Sequence, residues 1–177
     1  NTIMALLMII CLIFSVINGQ TVISPTVSNS SGDYFIADEI NNFKQKTLLC
    51  SSDTLCYIEC DPDGSCAQSV IRCNNAASCD IVCGSGSSNP PDYDDALMTC
   101  ADLTIYTSPV STNLTCPRYY SCPGTLSIYT DYTNYPSSTI ELKCDGWDSC
   151  ESIVVKDALT SSTNYNALTS DRIKIYC

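Results

Sequence analysis

Apolar and polar positions alternate in short runs along most of this chain, and most runs close on a cysteine. A large apolar residue stands two places ahead of the cysteine at Leu48/Cys50, Ile58/Cys60, Ile71/Cys73, Ile81/Cys83, Met98/Cys100, Leu114/Cys116, Leu142/Cys144 and Ile175/Cys177. Residues two apart on a strand share a face, so each pair predicts a short half-buried strand with its cysteine turned inward. The alternation reaches further back through Ile140, Leu142 and Cys144, and through Ile173, Ile175 and Cys177. Three runs keep the apolar residue and replace the cysteine: Ile105/Thr107, Ile128/Thr130 and Val155/Asp157. No long helical periodicity follows residue 19.

The runs repeat. Five cysteine pairs share the spacing C-x5-C: Cys50/Cys56, Cys60/Cys66, Cys73/Cys79, Cys116/Cys122 and Cys144/Cys150. Serine precedes the second cysteine in four of them, as Ser65, Ser78, Ser121 and Ser149, and Leu55 does so in the first. Cys56 to Cys79 and Cys60 to Cys83 are both 23 positions apart. A unit of that size with two short strands is one coil of a β-solenoid. Aligning Cys60, Cys83, Cys116, Cys144 and Cys177 gives coils of 23, 33, 28 and 33 residues. The extra residues, as in Gly84–Asp95 and Thr160–Asn166, read as loops bulging from the coil. The expected architecture is therefore all-β: a short disulfide-rich solenoid over residues 48–177, an N-terminal extension or cap over 20–47, and an apolar segment over 1–19. Residues Asp38–Phe43 could form a helical turn that caps the first coil.

One coil cannot bury its apolar side alone; stacking coils about 4.8 Å apart builds a thin continuous core. Disulfides reinforce such a core, and the candidates are Cys50, Cys56, Cys60, Cys66, Cys73, Cys79, Cys83, Cys100, Cys116, Cys122, Cys144, Cys150 and Cys177. Two connectivities fit. Each C-x5-C turn can close on itself, or stacked positions can bridge, since they lie near the Cα separation of roughly 4.4–6.8 Å that a disulfide needs. Spacing does not choose between them.

The length, 177 residues, suits one domain and no more than two. Fourteen cysteines point to an oxidising compartment, hence to a secreted, extracellular or cell-surface protein. Residues 4–19 agree, reading as the apolar region of a signal peptide, although no Lys or Arg precedes them. The alternatives are a retained anchor or a segment buried in an assembly. Loss of this leader removes Cys11 and leaves thirteen cysteines. One thiol is then free, or bridges another chain, or the sequence is incomplete, and Cys177 is the candidate for a cross-link. The net charge of −11 and pI near 4.1 leave no basic patch, so neither nucleic acid nor, after leader removal, a membrane is expected as a partner.

The chain has no histidine. That excludes Ser-His-Asp and Cys-His catalysis and histidine-bearing zinc sites, and the cysteine spacings lack the paired C-x2-C of zinc knuckles. Asp61/Asp63, Asp92/Asp94/Asp95 and Asp145/Asp148 fall in predicted turns, where Asp accepts local amide hydrogen bonds. Calcium is the lesser reading of these turns, since the closing Glu of a calcium loop is missing. No cofactor and no enzymatic activity are expected. Two N-x-[ST] sequons, at Asn29 and Asn113, are the candidate glycan sites. Tyr106, Tyr129 and Tyr176 alternate with the apolar residues and so face outward; with Trp147 they could stack on sugars or on a neighbouring subunit, or simply reflect β-propensity.

The string Cys56-x-Ile58-x-Cys60, Ser65-Cys66, Ile71-x-Cys73, Ser78-Cys79, Ile81-x-Cys83 resembles the cysteine-rich repeats of secreted or cell-surface proteins in protists and algae. Cys144 to Cys150 looks like a further copy. The likeness covers residues 48–83 well and 114–157 more loosely, and it implies a disulfide-reinforced solenoid without assigning a role. The loss of cysteine at Thr107, Thr130 and Asp157 departs from the repeat and puts regular disulfide stacking there in doubt. A more distant similarity to insect antifreeze solenoids lacks their uniform Thr-x-Thr rows. The functional expectation is a structural subunit of an extracellular fibre, appendage or coat that partners itself. The alternative is a glycan-binding adhesin using outward Tyr and Trp and the turn Asp residues.

Overall fold

The structure is a computed structural model, and it describes residues 21–38, 42–61, 64–84, 98–117, 121–145, 149–157 and 172–176. Thirteen strands and no helix are present among these residues. They form two sheets that coil around one core. The first contains β1 (Thr21–Ile23), β4 (Lys46–Leu49), β6 (Val70–Arg72), β8 (Thr104–Tyr106), β10 (Thr125–Thr130) and β12 (Ser152–Asp157), neighbouring in that order and all parallel. The second contains β3 (Gly32–Ala37), β5 (Leu55–Cys60), β7 (Ser78–Cys83), β9 (Ser111–Thr115), β11 (Thr139–Lys143) and β13 (Ile173–Tyr176), also parallel. The chain alternates between the sheets, adding one strand to each per coil. That is the expected β-solenoid.

Register follows the sequence repeat. In the second sheet Phe35, Ile58, Ile81, Leu114, Leu142 and Ile175 stack as one inward row. In the first, Ile23, Leu48, Ile71, Ile105, Ile128 and Val155 form its counterpart. From Phe35 to Leu142 and from Leu48 to Ile128 these side chains are essentially closed to solvent. A one-residue slip would turn a whole row outward, so the apolar pattern itself fixes the register. The stacking of Ile58 on Ile81, Ile81 on Leu114, Leu114 on Leu142 and Leu142 on Ile175 gives coils of 23, 33, 28 and 33 residues, as expected.

The solenoid reaches further towards the N-terminus than residue 48. Within the 20–47 stretch read as extension or cap, β1 and β3 each supply a regular strand. A capping element is there as well: β2 (Val27–Asn29) folds back antiparallel on β3 as the outermost strand of its sheet. The helical turn expected at Asp38–Phe43 lies half outside the described residues; Phe43, at its end, is buried edge-on against Phe35 at 6.2 Å. Met98/Cys100 departs from expectation. Met98 is 53% exposed and precedes a turn rather than sitting in a strand, and Leu103 fills the core there instead. The apolar leader, the loop residues 85–95 and 160–166, Trp147, Cys11 and Cys177 lie outside the described residues.

The coil turns sharply into the first sheet through residues of positive φ, which stack from rung to rung: Gln45 (57°), Gln68 (58°) and Asp102 (52°). Gln45 Nε2 donates to Gln68 Oε1 at 2.8 Å, so even this corner is tied vertically. One rung on, Gly124 takes the left-handed conformation at 78°, and a Cβ there would fall 2.5 Å from Asp102 Oδ1. That carboxylate accepts the Thr125 amide at 3.0 Å.

Because the core is one side chain wide, each central apolar residue has no second layer to collapse onto it. Ile81→Ala is expected to cost about 2–5 kcal/mol by chemical denaturation, whereas Thr115→Ala on the outer face of the neighbouring strand should stay within about 0.5 kcal/mol.

Candidate functional site

The chemistry of the described residues is concentrated at the two corners and on the outer faces of the sheets. Six disulfides close the corners: Cys50–Cys56, Cys60–Cys66, Cys73–Cys79, Cys83–Cys100, Cys116–Cys122 and Cys144–Cys150, with Cα separations of 5.8–6.2 Å. The within-turn alternative is therefore the one adopted, and Cys83–Cys100 applies it across the longest inserted loop. The bridges form two columns. One holds Cys60–Cys66, Cys83–Cys100, Cys116–Cys122 and Cys144–Cys150; the other holds Cys50–Cys56 and Cys73–Cys79. Three groups of sulfur atoms, Cys50/Cys56/Cys73, Cys60/Cys83/Cys100 and Cys83/Cys116/Cys122, lie within 4.8 Å of one another. Their spacing would suit a metal, but sulfurs committed to disulfides are not thiolate ligands.

The recurrent serine has a structural reason. Ser65, Ser121 and Ser149 are buried beside the four-bridge column, and Thr99 occupies the same position ahead of Cys100. The Cys66 amide donates to the Thr99 carbonyl at 2.8 Å, and both the Cys100 amide and the Thr99 hydroxyl donate to the Ser121 carbonyl, at 2.8 and 3.0 Å. A small residue fits this crowded corner and leaves the backbone ladder unbroken. Thr99 escaped the sequence pattern because its cysteine partner lies across a loop.

The second column stops where the sequence loses cysteine. Thr107 and Thr112 take the positions of Cys73 and Cys79 one rung on. There the Ser108 amide donates to Thr112 Oγ1 at 2.9 Å, Ser108 Oγ donates to the Ala77 carbonyl at 3.1 Å, and Ser138 Oγ donates to the Ser108 carbonyl at 2.9 Å. A hydroxyl network thus replaces the bridge: at Thr107 and Thr130 the disulfide column stops while the strands stay in register.

At the opposite end of that column Asp33 stands in register with Cys56. Its buried carboxylate accepts hydrogen bonds from Ser28 Oγ at 2.6 Å, from the Ser51 amide and hydroxyl at 2.6 and 3.0 Å, and from the Ser52 amide at 2.7 Å. Burial alone would raise its pKa; the donated hydrogen bonds outweigh that and hold it below the ordinary carboxylate value. Asp33 closes the first coil as a disulfide closes the later ones.

The outward tyrosines behave differently from a sugar-stacking platform. Arg72, Tyr106, Tyr129 and Lys156 form one vertical row on the first sheet. The Tyr106 and Tyr129 rings stack on each other at 4.9 Å and 15°. Arg72 lies over Tyr106 at 4.4 Å, and Lys156 over Tyr129 at 5.5 Å. The ring faces are occupied within the row, which ties four rungs together by cation–π and aromatic contact. Tyr176 is exposed on β13 of the other sheet.

On the second sheet Asn113 Nδ2 donates to Asp80 Oδ1 at 2.7 Å, so this sequon points outward as expected but is engaged. Tyr57 donates to Glu59 at 3.3 Å; burial, with Glu59 and Asp80 nearby, raises its pKa. Asn29 is exposed at the β2–β3 hairpin, its Oδ1 accepting the Ser31 amide at 2.7 Å. Of the turn carboxylates, Asp61 and Asp145 are described, whereas Asp63, Asp92, Asp94, Asp95 and Asp148 lie outside. Among the described residues no three carboxylates converge on a common point.

No family model, curated protein or solved structure matches this chain.

The Asp33 cap has a pH signature. A carboxylate whose pKa is depressed on folding stabilises the fold above its unfolded value, about 3.9, and that contribution is lost as pH falls through the folded value. Asp33→Asn is expected to lower stability at neutral pH by roughly 1.5–3 kcal/mol and to flatten the decline of the denaturation midpoint below about pH 4. An unchanged acid profile would show that Asp33 does not carry it.

Proposed function

We propose that this protein is a non-enzymatic extracellular structural protein, a subunit of a fibre, appendage or coat whose solenoids associate through their ends. The disulfide-rich solenoid is compatible with an extracellular structural or adhesive protein, and its bridges suit an oxidising setting. Among the described residues no helix is long and apolar enough to cross a membrane.

The observation that carries the assembly reading is a core-row residue left exposed on β13. At the N-terminal end β2 lies across β3, Asp33 closes one corner and buried Phe43 fills the other. Among the described residues β13 is the outermost strand at the other edge of the second sheet. Ile175 continues the row of Ile58, Ile81, Leu114 and Leu142, yet it is 48% exposed where those are at most 1% exposed. A parallel strand edge with a core residue showing is a template for another strand. A strand supplied by a second copy would bury Ile175 and extend the second sheet. The covered ring faces of Tyr106 and Tyr129 weigh against sugar stacking on that row and leave the structural reading as the better supported.

Negative-stain electron microscopy and light scattering of the secreted, unreduced protein test this. Regular assemblies that form without sugar, and that Ile175→Lys reduces to single particles, are the expected result. Dispersed monomers of the unaltered protein across micromolar concentrations would overturn it.

A further inference from the structure

We infer that the corner disulfides form an exchange relay, in which a thiol released on one rung attacks the bridge on the next, so that a defect moves along the column while the number of bridges is conserved. Cys50 Sγ lies 3.7 Å from Cys73 Sγ, although each is bonded to a different partner. In the longer column Cys83 belongs to both sulfur groups, one with Cys60 and Cys100 and the other with Cys116 and Cys122, all within 4.8 Å. Cys83 therefore links three successive bridges. These sulfurs are buried, which shields any released thiolate from solvent oxidants and presents it first to its neighbour.

The alternative bonds fit the backbone. Cys56 is the direct register partner of Cys79, and Cys60 of Cys83. Adjacent strands lie about 4.8 Å apart, inside the roughly 4.4–6.8 Å Cα range of a disulfide. At these two positions the coil-closing bonds thus have rung-joining counterparts in the register the sheets already hold.

The relay starts when an external monothiolate attacks Cys66 Sγ, forming a mixed disulfide on Cys66, breaking Cys60–Cys66 and releasing Cys60 as thiolate; the later steps balance without an oxidant. A Cys60 thiolate attacks Cys100 Sγ; the Cys60–Cys100 bond forms, the Cys83–Cys100 bond breaks, and Cys83 leaves as thiolate. Cys83 then attacks Cys122, forming Cys83–Cys122 and releasing Cys116. Attack on Cys83 instead gives Cys60–Cys83 and frees Cys100. Each step exchanges one S–S bond for another and passes one thiolate onward.

Cys66→Ser leaves Cys60 as the starting thiol. The secreted variant is held at pH 8, quenched with acid, alkylated with iodoacetamide and mapped by mass spectrometry. The expected result is label shared among Cys60, Cys83, Cys100, Cys116 and Cys122, with cross-rung peptides such as Cys60–Cys83. At pH 5 the redistribution should slow on the order of a thousandfold, because only the thiolate attacks and its fraction falls about tenfold per pH unit. Label confined to Cys60, with Cys83–Cys100 and Cys116–Cys122 intact after hours at pH 8, would overturn the relay. Cys56→Ser offers the same test at Cys50 and Cys73. If neither variant is secreted, the unaltered protein treated with a substoichiometric small monothiol decides: cross-rung peptides support the relay, and only native pairs with local adducts reject it.

Discussion

The parallel stacking of each residue on its equivalent in the next coil is the constraint from which the rest of this structure follows. A rung of about two dozen residues buries too little to stand alone. Its stability comes from neighbours in strict register, which turn the scattered residues Ile58, Ile81, Leu114 and Leu142 into one continuous row. Backbone pairing continues through the corners: the Cys73 amide donates to the Tyr106 carbonyl at 2.9 Å and the Cys116 amide to the Lys143 carbonyl at 2.7 Å. A register error in one coil would therefore be imposed on every coil above and below it.

The corners are where such a thin fold is weakest, and the chain closes them with whatever residue the position holds. Cysteine pairs do so in six turns, a buried carboxylate with four donors does so at Asp33, and a hydroxyl network does so around Ser108 and Thr112. These solutions are physically unlike but serve one need. Each draws the end of one sheet to the start of the other and satisfies the amides of the intervening turn. The bridges add a constraint on the unfolded chain, modest for each short loop and greater for the one closed by Cys83–Cys100, because closure entropy rises slowly with loop length.

Much of this was legible in the sequence because a solenoid repeats its local chemistry at a fixed interval. The apolar-x-cysteine runs located most strands, and the coil lengths followed from Cys60, Cys83, Cys116, Cys144 and Cys177. What escaped was whatever broke the pattern while keeping the position. Asp33 occupies a cysteine position with no apolar-x-cysteine signature, so nothing in the sequence sets β3 apart from an extension. Gln45, Gln68 and Asp102 adopt positive φ without glycine to announce it. Met98 carries the apolar-x-cysteine signal but precedes a turn, outside any strand. The row of Arg72, Tyr106, Tyr129 and Lys156 required a register between four different strands. No single run contains that information, although the outward direction of the tyrosines was evident.

Stacking also governs where charge can stand. Equivalent outward positions lie one strand spacing apart, so two carboxylates in successive rungs would repel across a few ångströms. The chain carries nineteen acidic residues, yet none of those on the described strands stacks directly on another. Asp80 lies between Tyr57 and Asn113, Glu141 between Asn113 and Lys174, and Glu59 between Ile36 and Val82. On the first sheet the stacked pairs are attractive instead, with cations at both ends of the Tyr106–Tyr129 pair. The described strands carry as many basic as acidic residues, so the excess negative charge of the chain lies outside them. An acidic composition that says little about partners thus records a requirement of the fold. A coil may carry charge freely at its bends, but on its strands each charge must suit the residues directly above and below.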